Sequence, residues 1–106
     1  MAYAFSGEFY PPKPNVFNKP INCWNVAGVT DMNEMFYVAT YFNQPLNDWN
    51  VSSVNNMYSM FFSATKSNFN QPLNDWNVAS VTTMNEMFRY ATDFNQPLND
   101  WNVAND

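Results

Sequence analysis

The sequence predicts an α/β repeat solenoid in which each 25-residue unit supplies one short parallel strand and one short helix. Three observations predict it. All four tryptophans (Trp24, Trp49, Trp76, Trp101) fall at one position of a recurring unit. Six of the seven methionines fall at two others: Met32, Met57 and Met84, then Met35, Met60 and Met87. Within each unit the apolar spacing also changes from two residues to three and four, which is the change from a strand to a helix.

The units run Ile21–Pro45, Leu46–Pro72 and Leu73–Pro97, followed by a part from Leu98. The second carries two extra residues near Lys66 and Ser67. The chain therefore divides into a partial N-terminal repeat with a Pro-rich loop (1–20) and three full repeats with a terminal strand half-repeat (21–106). Met1, Ala4 and Phe5 match Met32, Met35 and Phe36, and Phe17-Asn18-Lys19-Pro20 matches Phe42-Asn43-Gln44-Pro45.

Each predicted element follows from local chemistry. Trp49 and Val51 are separated by polar Asn50, as in a strand with one buried face. Met57, Met60, Phe61 and Ala64 stand at i, i+3, i+4 and i+7, one face of a short helix. Asp31, Asn56 and Thr83 precede the first methionine as N-cap residues, and Asp31/Glu34 and Thr83/Glu86 have the spacing of a capping box. Asn-Gln-Pro then turns the chain into the next unit. One unit cannot close a core, so stacking in register is expected to bury columns of Trp, Val, Met and Phe. Nineteen asparagines against two glycines imply that Asn takes the left-handed turn positions.

Composition excludes several functions. There is no histidine and one cysteine, Cys23, so neither a Cys-His nucleophile nor a zinc site is expected. Four scattered basic residues and a net charge of −5 oppose nucleic-acid binding, which needs clustered cations. No apolar run reaches the roughly 18 residues of a membrane span, so no membrane insertion by this segment is expected. The chain reads as non-enzymatic, with no cofactor.

The strings Leu46-Asn-Asp-Trp-Asn-Val-Ser-Ser-Val54 and Met57-Tyr-Ser-Met-Phe61 resemble the short repeat of bacterial surface proteins and mycoplasma lipoproteins, grouped with BspA-like leucine-rich repeats. The resemblance covers residues 17–106 and, weakly, the first five. It implies a leucine-rich-repeat-like solenoid on a cell or virus surface, often assigned to adhesion. The chain departs from an ordinary leucine-rich repeat in placing Trp at a core leucine and Val54 at the usual ladder asparagine. A ladder is expected instead from Asn18, Asn43, Asn70 and Asn95, bonding loop backbone.

Candidate sites are few. Asp48, Asp75 and Asp100 share one outward strand position. Neighbours about 5 Å apart repel by about 0.8 kcal/mol in water, so the column reads either as a solubilising face or as calcium ligands bridging units. Asn25, Asn50, Asn77 and Asn102 form a second outward column, and Asn50-Val51-Ser52 is the one glycosylation sequon. Tyr37, Phe62 and Arg89 share a variable position, as do Val38, Ser63 and Tyr90, all expected outward or toward the loops. The ends lack a polar cap, which leaves Met1, Phe5, Trp101 and Val103 as end-to-end contact candidates, in a longer array or between copies. The function expected is a surface module for adhesion or scaffolding that binds a protein or glycan, or alternatively a filament subunit whose partner is another copy of itself.

Overall fold

Proline at the end of each unit delivers the chain into two tight turns. In the second unit the Trp49 N–H donates to the Leu46 carbonyl and the Val54 N–H to the Val51 carbonyl, both at 3.0 Å. The first and third units repeat the pair at Trp24–Ile21 and Val29–Val26, and at Trp76–Leu73 and Val81–Val78. Between these turns the Asn50 Oδ1 accepts the Ser52 N–H, as Asn25 does for Ala27 and Asn77 for Ala79. Asparagine favours this local bond because its side chain imitates a backbone turn.

The structure, a computed structural model, describes residues 2, 4, 16–63 and 67–101. Met1, Phe5, most of the Pro-rich loop, Asn102 and Val103 lie outside the described residues. Among those described there is no α-helix and no extended strand. Two isolated parallel bridges, Asp31–Asn56 and Asn56–Thr83, are the only β pairing among the described residues. The expected α/β solenoid of leucine-rich-repeat type, with a strand and a helix in every unit, is therefore incorrect.

The helix fails for a reason visible in the backbone. Glu34, Ser59 and Glu86 have φ of 54°, 52° and 60°, and Val38 and Tyr90 have 55° and 61°; right-handed helix requires negative φ at each. Consecutive i to i+3 turns replace it: Met35 N–H to Met32 C=O, Tyr37 to Glu34, and Ala39 to Phe36. The alternate N–H groups leave the unit altogether. Met32, Glu34, Phe36 and Val38 donate to the carbonyls of Asn56, Tyr58, Met60 and Phe62 at 2.7–2.9 Å. Met57, Ser59, Phe61 and Ser63 donate in the same way to Thr83, Asn85, Met87 and Arg89. A segment of about eight residues is too short to hold a helix by itself, and bonding to the next layer satisfies every second donor instead. The proposed capping box dissolves accordingly, for the Asp31 carboxylate accepts the N–H of Asn33, two residues on.

Where the strand was expected, side chains supply the cross-links. Indole N–H groups of Trp49, Trp76 and Trp101 donate to the carbonyls of Ile21, Leu46 and Leu73 in the preceding unit, at 2.8–3.0 Å. On the opposite side the expected asparagine ladder is present. The Oδ1 atoms of Asn18, Asn43 and Asn70 accept the N–H of Asn43, Asn70 and Asn95 at 2.9–3.0 Å. They also accept the side-chain amides of Gln44, Gln71 and Gln96.

Between these two seams lies the core. Phe36, Phe61 and Phe88 stack at 5.3 and 5.5 Å, and Phe17, Phe42, Phe69 and Phe94 at 6.0–6.1 Å. Met32, Met35, Met57 and Met60 are fully buried beside them. The body measures 35 × 28 × 23 Å with a radius of gyration of 12.7 Å, close to the roughly 13 Å of a globular chain of this length.

Backbone strain at Ser59 offers a test. It is buried in the central layer with φ of 52°, a conformation that costs an L-residue about 1–2 kcal/mol and glycine almost nothing. Ser59→Gly is expected to raise the thermal midpoint by a few degrees, after about 0.5–1 kcal/mol of added chain entropy is offset. Ser59→Val should lower it.

Candidate functional site

The left-handed residues do more than end turns, because each redirects the side chains that follow it. Together they place Glu34, Tyr37, Tyr58, Phe62, Glu86, Arg89 and Tyr90 along one ridge crossing all three layers. Tyr37 stacks on Phe62 at 5.0 Å, and Phe62 meets the edge of Tyr90 at 5.7 Å. The Tyr58 hydroxyl donates to Glu86 Oε2 at 3.3 Å. Arg89 forms an ion pair with Glu86 and lies 5.1 Å from the centroid of the Tyr90 ring. Tyr58 and Tyr90 remain exposed, at 38 % and 54 %.

Charge on the ridge follows its packing. Partial burial raises the Glu34 carboxyl above its ordinary value. The Tyr37 phenol is raised first by burial and then by electrostatic repulsion, led by the neighbouring Glu34. Hydrogen bonds to Tyr90 and Glu86 hold the Arg89 guanidinium protonated. For Glu34 the folded state binds the proton more tightly than the unfolded chain, so stability falls as pH rises through and above 4.5. Glu34→Gln is expected to flatten that part of the curve of thermal midpoint against pH relative to the native chain. Parallel curves for the two proteins would contradict it.

The ridge was only partly legible in the sequence. Arg89 and Tyr90 do face outward, but Val38, Phe62 and Ser63 are buried, with Phe62 packed between the rings of Tyr37 and Tyr90. Tyr58, Glu34 and Glu86 were not singled out as surface residues. The signal that could have found them is the exchange of Asn-Glu for Tyr-Ser between the two methionines of the second unit.

The aspartate column is occupied by its neighbours. Asn47 Nδ2 donates to Asp75 Oδ2 while the Asp75 N–H donates back to Asn47 Oδ1, at 2.9 and 3.0 Å. Asn74 and Asp100 form the same reciprocal pair. Asp48, Asp75 and Asp100 are all exposed, and among the described residues no three carboxylate, cysteine or histidine side chains gather where a metal could be held. Asn25, Asn50 and Asn77 are exposed with their side-chain oxygens turned back on the local backbone; Asn50 also accepts the Ser52 hydroxyl within its sequon. No helix among the described residues is long and apolar enough to cross a membrane.

A second feature is an open depression of about 590 Å³ on the last layer, lined by Met84, Met87, Phe88, Leu98 and Trp101 with Glu86 and Arg89 at its rim. It includes Trp101, one of the expected end-contact residues.

The family model described as Mycoplasma protein of unknown function, DUF285, matches residues 1–106. The chain belongs to the DUF285 family. This DUF285 match agrees with the mycoplasma part of the resemblance drawn from the repeat, and not with BspA-like leucine-rich repeats in particular. No curated protein and no solved structure matches the chain.

Proposed function

We propose that this DUF285 protein is a non-catalytic surface module for adhesion or scaffolding, which binds a protein or glycan through the ridge from Tyr37 to Tyr90. One observation carries the reading. In the inner layers the recurring apolar side chains are consumed by contacts between layers, whereas the ridge leaves Tyr58 and Tyr90 exposed beside a charged Glu86–Arg89 pair. Tyrosine and arginine are the residues that most often anchor protein interfaces. Tyrosine gives large contact area for little lost side-chain freedom, and the ridge carboxylates could accept bonds from ligand hydroxyl or amide groups. The surface location rests on the resemblance of the repeat to those of bacterial surface proteins and mycoplasma lipoproteins.

The test is binding of the purified protein to a glycan array and to a panel of host cell-surface and matrix proteins. Tyr58→Ala with Tyr90→Ala is expected to weaken any captured ligand at least about tenfold, equivalent to about 1.4 kcal/mol, with little change in thermal midpoint. Undiminished capture by the double variant would place the binding elsewhere and refute the reading.

A further inference from the structure

Successive layers carry the same ridge with different occupants. Glu34, Ser59 and Glu86 stand at one position of the unit, and Tyr37, Phe62 and Arg89 stand three residues further on. In the third unit these two positions satisfy each other. The Arg89 guanidinium pairs with the Glu86 carboxylate and lies 5.1 Å from the centroid of the Tyr90 ring. A cation held this way gains twice, since guanidinium bonds carboxylate oxygens through a planar fork and is attracted to an aromatic face.

The first unit has the carboxylate and the ring without the cation. Glu34 repeats Glu86, but Tyr37 stands where Arg89 would. The Glu34 carboxylate is half-buried and has neither a hydrogen bond nor an ion pair among the described residues. Burial raises its carboxyl, with no positive neighbour to offset the shift. A partly desolvated carboxylate without a counter-ion is unfavourable, and the chain supplies few, with four basic residues against nine acidic ones. The neighbours deepen the negative field. Tyr37 responds electrostatically to Glu34, Tyr58 and Glu86, so these groups share one patch. Tyr58 belongs to the middle layer, where its carbonyl accepts the Glu34 N–H and the adjacent Ser59 donates onward to Asn85. Its exposed ring therefore lies on the side of the stack.

We infer that Glu34 takes an arginine side chain of a partner protein, held against the Tyr37 and Tyr58 rings as Arg89 is held against Tyr90. The inference rests on the ridge being the binding surface proposed above, and it narrows the ligand to a protein segment with an exposed arginine. Charge complementarity selects the occupant, because the chain carries a net charge of −5 and the patch adds an unpaired carboxylate. Arginine fits better than lysine, since its plane can lie on a ring while its fork bonds the carboxylate. An acidic glycan would meet like charge at the same place.

Amide NMR titration of the labelled protein tests this, with a short peptide of alternating arginine and glycine as the probe. Its counterpart with citrulline in place of arginine keeps the shape and removes the charge. The arginine peptide is expected to move the resonances of Glu34, Tyr37 and Tyr58, and the citrulline peptide to bind at least about tenfold more weakly. Glu34→Gln should weaken the arginine peptide by the same factor. That variant removes an unpaired half-buried charge, so at neutral pH its melt should show a fold no less stable than the native one. No binding of the arginine peptide, equal binding of the two peptides, or undiminished binding by Glu34→Gln would overturn the inference. A ligand from the protein panel that is lost on Tyr58→Ala with Tyr90→Ala but kept by Glu34→Gln would leave the ridge as the binding surface and remove the arginine assignment alone.

Discussion

Replacing Phe61 with alanine is expected to remove about 3–5 kcal/mol of stability, the range for deleting a large buried aromatic. Phe61 sits in the central layer and touches a ring on three sides: Phe36 at 5.3 Å, Phe88 at 5.5 Å and Phe69 at 4.4 Å. No nearby segment is free to collapse into the space, because both flanking layers are held at fixed spacing by backbone bonds from Phe36 to Met60 and from Phe61 to Met87. With domains of this size losing about 4–8 °C per kcal/mol, the thermal midpoint should drop by at least about 12 °C. The same change at Phe88, which is half-buried on the last layer, should cost clearly less. Equal losses at the two positions, measured by thermal or urea unfolding, would contradict a core held together layer on layer.

Asn43→Leu is expected to cost about 1–3 kcal/mol in total, from two lost hydrogen bonds and a backbone donor left without its acceptor. Asn43 Oδ1 accepts both the Asn70 N–H, at 3.0 Å, and the Gln71 side-chain amide, at 3.0 Å. Its own N–H continues the ladder to Asn18. Asn43→Asp keeps an oxygen at the accepting position and should retain most of the stability. That contrast separates loss of the acceptor from loss of shape, since leucine and aspartate are both close to asparagine in size. Urea midpoints for the three proteins at neutral pH would decide it, and an aspartate variant as weak as the leucine one would remove the ladder from the account.

The candidate site was less legible than the core. Arg89 and Tyr90 could be noticed because they vary between units at equivalent positions. Their neighbours on the ridge could not be assigned, since a helix and a chain of tight turns point residues 34, 38, 58 and 62 in different directions. Only the φ values of Glu34, Ser59, Val38, Glu86 and Tyr90 decide between the two. Val38 and Tyr90 are bulky residues in a left-handed conformation that their side chains disfavour. Nothing in their identity announces it, and stacking against the adjacent layer is what holds them there.

Read alone, the sequence determined the period, the recurring Trp, Val, Met and Phe columns of the core and the asparagine ladder, because these depend on which side chains recur at 25 to 27 residues and on their hydrophobicity. Burial is dictated by transfer from water, and that is the same for Trp76, Met60 or Phe61 whatever path the backbone takes. The path itself was decided only by the tertiary structure. Spacings of three and four residues suit a helix and a run of i to i+3 turns equally well. The choice falls to where each backbone N–H finds its acceptor, and here alternate donors find it in the next layer, a partner 24 to 26 residues away that no local pattern records.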